Sequence, residues 1–332
     1  MDILLIGGTR NVGHHLAVGL ADLGHRVTIL NRGWTPDDLG DRVERLRADR
    51  TAPDQLARAL AGRSFDACVD TIAMRGGDTR TAIEALDGRI GHYVHLSTGQ
   101  VYLVRADCPV PAREEDYDGP LVDPPPGESW EGAEWRYGVE KRECEDELEE
   151  AWASRRFPGT RLRLPMIHGP RDHYGRIHGL VRRLLDGGPL LVPLESGPGI
   201  RHVHQGDVVA AILRLLETGA GKGAAYNVAQ DDLWTLDAFL SRVAALLGVE
   251  PDVVPVPRAE LEAAELFPAC APFANPWMSI LDNRRAKEEL GLGFASFDDY
   301  LPELVKLFRD PSLDPPATYA GQRGREIALA AA

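Results

Sequence analysis

Short apolar runs of β-preferring residues alternate with amphipathic stretches through the first half of the chain. Asp2–Ile6, Arg26–Leu30, Val43–Leu46, Asp66–Ala73, Tyr93–Ser97 and Arg161–Ile167 read as strands. Between them His14–Leu23, Pro53–Leu60, Thr79–Leu86 and a charge-dense stretch from Trp135 to Ala153 read as helices. Strands that are apolar on both faces and separated by helices predict an α/β fold, a Rossmann-type doubly wound parallel sheet. The later chain is less regular. Helices are predicted over Ile177–Leu185, Val208–Leu216 and Leu236–Leu247, with extended segments at Leu190–Leu194, Tyr226–Ala229 and Pro251–Pro257. The expected organisation is a dinucleotide-binding domain over 1–170 and a smaller C-terminal α/β substrate-binding lobe over 171–332, some of whose segments return to the first core. Cys108 to Trp135 has no periodicity and is rich in proline and acids, so it reads as a long irregular loop covering a substrate. In the helix after it, Arg142 and Asp146 have i,i+4 spacing, and the many charges read as a solvated face.

The first strand breaks into Gly7-Gly8-Thr9-Arg10-Asn11-Val12-Gly13, and a helix follows at once. That order aims backbone N–H groups and a helix N-terminus at an anion. Gly7 permits the tight turn and Gly13 a close helix–strand approach, while Arg10 stands where the dinucleotide pattern has a middle glycine. Gly7, Thr9, Arg10, Asn11, Val12 and Gly13 are therefore candidate cofactor contacts. The second strand ends in Asn31-Arg32, where a carboxylate would select NAD. Two arginines, Arg10 and Arg32, suit a ribose 2′-phosphate, so NADP is favoured over NAD; the alternative is that both are solvent-exposed loop residues. Asp49 either accepts a bond from an adenine amino group or caps the next helix. Arg50, Ile72, Ala73 and Met166 complete the candidate cofactor set.

The composition narrows the class. The 332 residues are 44% hydrophobic and 27% charged, ordinary for a globular chain, with a net charge of −14. Such an acidic surface repels phosphate backbones and disfavours nucleic acid as a partner. Cys68, Cys108, Cys144 and Cys270 lie far apart with no metal-like pairing, which reads as a reducing cytoplasm. No apolar run approaches the roughly 18 residues a membrane helix needs. As partners the sequence leaves a small-molecule substrate and, at most, a second copy in a homodimer.

The chemistry concentrates in Tyr137-Gly138-Val139-Glu140-Lys141. On a helix, i to i+4 puts phenol and ammonium on one face, where Lys⁺ is expected to lower the tyrosine pKa and make it a proton relay. With the glycine turn before it, Ser97-Thr98-Gly99-Gln100-Val101-Tyr102 upstream, and Arg163-Leu164-Pro165-Met166-Ile167-His168-Gly169-Pro170 and Arg201–Val208 downstream, the chain resembles the extended short-chain dehydrogenase/reductase family, in its NAD-dependent epimerase/dehydratase branch. The turn is similar to an atypical GGTRxxG subgroup that also includes plastid RNA-binding relatives.

That resemblance implies Tyr137 as acid–base tyrosine and Lys141 as the residue that bonds the nicotinamide ribose. It also implies Thr98 as the hydroxyl holding the substrate oxygen. Gln100 and Arg201 are the implied substrate contacts, Arg201 binding a diphosphate or, alternatively, forming a salt bridge with Asp207. His202 and His204 form either a ligand pair or, as favoured, structural hydrogen bonds, and no metal is expected. Gly99-Gln100 replace the Asp-Glu of sugar 4,6-dehydratases, which disfavours dehydration. The expected function is an NAD(P)-dependent reductase or dehydrogenase acting on a hydroxyl or ketone of a small, nucleotide-linked sugar. The rivals are an epimerase with non-exchanging cofactor and a non-catalytic cofactor- or RNA-binding protein.

Overall fold

The computed structural model describes residues 1–332 with the exception of Ser196 and Pro198. The first half runs β1 (Asp2–Ile6), α1 (Asn11–Asp22), β2 (Arg26–Asn31), β3 (Val43–Arg47), α2 (Pro53–Leu60), β4 (Phe65–Asp70), α3 (Gly76–Leu86), β5 (Ile90–Thr98), the one-turn α4 (Gln100–Leu103), α5 (Trp130–Arg155) and β6 (Gly159–Leu164). The second half runs β7 (Ile167–His168), α6 (Arg176–Leu185), β8 (Leu190–Pro193), β9 (Val203–His204), α7 (Gln205–Thr218), β10 (Ala225–Asn227), α8 (Leu236–Leu247), β11 (Val253–Val256), α9 (Arg258–Ala263), α10 (Arg284–Leu290), α11 (Phe297–Phe308) and α12 (Ala317–Ala330).

Seven parallel strands form the central sheet in the order β10-β6-β5-β4-β1-β2-β3. The reversal between β1 and β4 is the switch point where a doubly wound sheet opens a crevice at its carboxyl edge. Alternation along β1 explains why both faces are covered. Ile3 and Leu5 pack with Leu16 and Leu20 of α1 and Ile212 and Leu215 of α7. Leu4 and Ile6 point the other way, to Leu56 of α2, Ile83 of α3 and Leu148 of α5. The late strand β10 closes the sheet edge beside β6, so a segment from the second half does return to the first core. A separate apolar core joins α6, α8 and α11 through Val181, Phe239 and Phe297.

Three expectations are corrected. The strand predicted to Ile167 stops at Leu164, because Pro165 has no N–H to donate; Ile167–His168 then pair with β9 instead. Cys108–Trp135 is not one irregular loop. Glu114–Tyr117 form a 3₁₀ turn whose Glu114 is buried, its Oε1 accepting from Asn227 N at 2.7 Å. Helix α5 begins at Trp130, where the Ser129 hydroxyl caps it by accepting from Gly132 N at 3.0 Å. Finally, the charges of α5 are a solvated face only in part: Arg136, Glu143, Glu149 and Glu150 are exposed, whereas Lys141, Arg142 and Glu145 are buried. Arg142 is buried and donates to the carbonyls of Val101 and Tyr117, and Asp146 takes the Tyr117 hydroxyl rather than an ion pair with Arg142. Glu145, fully buried, meets Arg163 of β6 at 2.6 Å.

Candidate active site

A groove of about 1190 Å³ runs along the carboxyl edge of the sheet, floored by the Gly7–Gly13 turn and bounded by Asn31, Arg32, Asp49, Ile72 and Tyr174. Gly7 and Gly8 have φ of +107° and +91°, a region side chains rarely enter. A Cβ on Gly7 would lie 2.3 Å from Thr71 Oγ1, and one on Gly13 would lie 3.0 Å from the Gly8 backbone. Asn11, first residue of α1, holds φ at +40° and keeps a buried Oδ1 with no partner among the described residues. A cradle of backbone, a helix N-terminus and an orphaned acceptor fit a dinucleotide's polar centre.

At the far end the expected adenosine contacts divide. Asn31 ties the turn together: its Nδ2 donates to Gly7 O at 3.3 Å, and its Oδ1 accepts from Gly33 N and from Arg47. Arg32 is half exposed, lies 3.7 Å over the Trp34 ring and sits 4.0 Å from Asp49. Arg10 is exposed and lines the same groove. Asp49 accepts from the Thr51 N–H and hydroxyl, so its carboxylate builds the turn before α2. Arg50 also lines the groove, yet its guanidinium is spent on buried Asp70, donating to both oxygens at 2.6 Å. Asp70 in turn accepts from Ile72 N and Ala73 N, shaping the loop after β4. Val12 and Ile72 line the groove, whereas at the β6 end Ile167 does so in place of Met166.

The reacting end lies where β5 meets α5. Ser97 and Thr98 close β5. Ser97 Oγ donates to Glu145 of α5 at 2.5 Å, and the Thr98 hydroxyl meets the Tyr137 phenol nearer the start of the same helix. Gly138 lets α5 approach α4, since a Cβ there would sit 2.6 Å from Val104 and 2.9 Å from Gln100 O. Tyr137 is half-buried. Burial pushes its phenol up to about 12, opposed by the Thr98 hydroxyl. The phenol is thus a held proton at neutral pH, and the expected lowering by Lys141 is corrected. Lys141 is 3% exposed and spends its three N–H bonds on Ala73 O (2.9 Å), Leu96 O (2.7 Å) and His95 Nε2 (3.1 Å). Burial lowers the Lys141 pKa, and its ammonium pins the floor of the groove.

On the substrate side, Gln100 Nε2 donates to Glu134 at 2.6 Å and to Trp277 O at 3.2 Å. Sequence reading missed Glu134, although it lies one turn before Tyr137 at same-face spacing. Gly99 has a steric reason: a Cβ would come within 1.9 Å of Ser279 Oγ, so a dehydratase-type aspartate has no room. Arg201 donates to Leu281 O at 3.1 Å and Asp231 O at 3.2 Å, and Asp207 accepts from Ala295 N, so the alternative Arg201–Asp207 bridge is not formed. His202 bonds buried His168 at 2.6 Å, while His204 caps α7 and stacks on Tyr300 at 4.9 Å. Among the described residues no group of three metal-ligating side chains assembles. All four cysteines are free, and among the described residues no helix is long and apolar enough to cross a membrane.

The NAD dependent epimerase/dehydratase family model matches residues 3–229. The chain is 27% identical over 267 residues to the chloroplast stem-loop binding protein of 41 kDa b of Arabidopsis thaliana, covering 76% of this chain and 65% of that protein, under two thirds of its length. It is 25% identical over 268 residues to the 2′-dehydrokanamycin reductase of Streptomyces kanamyceticus, covering 80% and 71%. Its fold matches the dTDP-glucose 4,6-dehydratase of Bacillus anthracis in complex with NAD, with a TM-score of 0.74, 17% identity, and 94% and 97% of the two chains covered.

Proposed function

Because the chain belongs to the NAD dependent epimerase/dehydratase family, we propose that it is an NADP-preferring reductase of a ketone on a small sugar-like substrate. The observation that carries this reading is the half-buried Tyr137 phenol beside the Thr98 hydroxyl, one turn of α5 before Glu140, which lines the groove. A hydroxyl that keeps its proton at neutral pH donates to an oxygen gaining negative charge, which is what reducing a carbonyl requires. Thr98 orients that oxygen, and Lys141 fixes the Ala73 and Leu96 backbone on which the reacting ends lie. A dihydronicotinamide bound in the groove supplies the hydride. Gly7, Thr9, Asn11, Val12 and Gly13 would hold its diphosphate, and Arg10 with Arg32 its 2′-phosphate. The relative named a 2′-dehydrokanamycin reductase supports reduction over epimerisation. Nucleotide linkage of the substrate rests on Arg201 alone, whose two terminal nitrogens already serve carbonyls. The likeness to a stem-loop binding protein raises RNA as a rival, against which the net charge of −14 speaks. Four free cysteines suit the cytoplasm.

The test is NADPH absorbance with a panel of keto-sugars. Net consumption with the ketone supports the reading, and product formed without net consumption replaces it with epimerisation. Arg10 and Arg32 changed together to alanine should cut the preference for NADPH over NADH by about tenfold or more, the worth of charge-assisted bonds. An unchanged preference removes the 2′-phosphate assignment.

A further inference from the structure

Beside Tyr137 stands a carboxylate that forms no ion pair among the described residues, and the field of Arg176 only partly offsets its burial. Glu134 precedes Tyr137 by one turn of α5, is half-buried, and contributes to the electrostatics at the phenol. Its hydrogen bond comes from the Gln100 amide at 2.6 Å, a neutral donor held in turn by Trp277 O. Among the described residues no lysine, arginine or histidine nitrogen lies within 4.0 Å of it. The cation whose field reaches Glu134, Arg176, is shared with another carboxylate. Arg176 pairs with Asp172 at 3.2 Å, and the Arg201 terminal nitrogens donate to the carbonyls of Leu281 and Asp231. His168 and His202 are buried and bonded to each other, and burial holds both neutral. Partial burial raises the Glu134 carboxyl above its ordinary range, a cost that a cationic partner would relieve.

We propose that Glu134, held in place by Gln100, is an anionic subsite that takes the ammonium group of an amino-substituted sugar and so sets its neighbouring carbon against Tyr137. The inference rests on reading Thr98 and Tyr137 as the reacting centre. It assigns a substrate class, aminated rather than nucleotide-linked. A diphosphate placed beside Glu134 would face a carboxylate, and like charge repels it. An ammonium gains a charge-assisted bond in a partly desolvated place, where such bonds are strongest. The chain's net charge of −14 favours encounter with a cation in the same sense.

The experiment is calorimetric titration of the NADP-loaded protein at pH 7 with glucosamine, N-acetylglucosamine and UDP-glucose. The first two differ in whether the nitrogen is basic, and the third carries the diphosphate. Glucosamine is expected to bind about tenfold or more tighter than its N-acetyl derivative. Glu134→Gln, which keeps shape and loses charge, should abolish that ratio, while Glu134→Asp should retain part of it. Equal binding of the two amino-sugar forms by the wild type overturns the proposal. So does a ratio preserved in Glu134→Gln, or UDP-glucose binding tighter than glucosamine, or no measurable binding of glucosamine. Tyr137→Phe separates this from the reductase reading: it should remove turnover and leave the binding ratio intact, so either claim can fail alone.

Discussion

Helix α5 is two structures end to end. From Lys141 onward its buried polar groups are saturated: the ammonium has three acceptors, Arg142 two carbonyls, and Glu145 receives both Arg163 and the Ser97 hydroxyl. From Trp130 to Glu140 the hold is lighter. Ser129 caps the end, Trp135 donates to Val122 O, and Glu134 and Tyr137 look across to Gln100 and Thr98 with capacity to spare. Gly138 marks the boundary, where α5 comes closest to α4. Rigid charge in one half fixes where the uncommitted groups of the other half stand, and a site needs both: a frame that cannot shift and groups not already satisfied by it.

Substitutions along the helix should separate the halves by what they damage. Glu145→Ala should have the largest effect on folding, about 3–5 kcal/mol, because it leaves the Arg163 guanidinium buried without its counter-charge. A chemical-denaturation midpoint checks this, and a cost below about 1 kcal/mol would mean that the lower half is not the frame. Gly138→Ala should cost less, about 1–3 kcal/mol, as the new methyl presses on Val104 and the Gln100 carbonyl. The same push moves Tyr137 off Thr98, so turnover should fall by up to about a hundredfold while the fold survives. Retained activity in a folded Gly138→Ala protein would show that the approach of the helices does not position the phenol.

What could be read from the chain alone follows the same division. The glycine turn and the alternation of strands with helices that builds the parallel sheet are patterns of neighbouring residues, and both are present in the fold. Thr98 is implied only by the resemblance, and it is the packing of β5 and α5 that brings it to Tyr137. The buried charges were misread because a run of acids and bases looks solvated until its partners are known. Those partners, Tyr117, Val101 and Arg163, are brought in by the segment around Glu114 and by β6. Lys141 failed as a tuning charge for a related reason: its acceptors at Ala73, His95 and Leu96 come from the ends of β4 and β5 and draw it under the floor. Glu134 did have a signal, its spacing from Tyr137, but only the Gln100 contact gives that spacing a meaning.

The central claim is that Tyr137 is a proton donor mounted on a frame that does not depend on it. Tyr137→Phe, followed by single-turnover NADPH oxidation with the keto-sugar that the wild type reduces and by denaturation of the same sample, tests both parts. The expected result is a rate lower by about 10²- to 10⁴-fold with stability within about 1 kcal/mol of the wild type. A rate equal to that of the wild type would contradict the claim, and so would a loss of rate explained by unfolding.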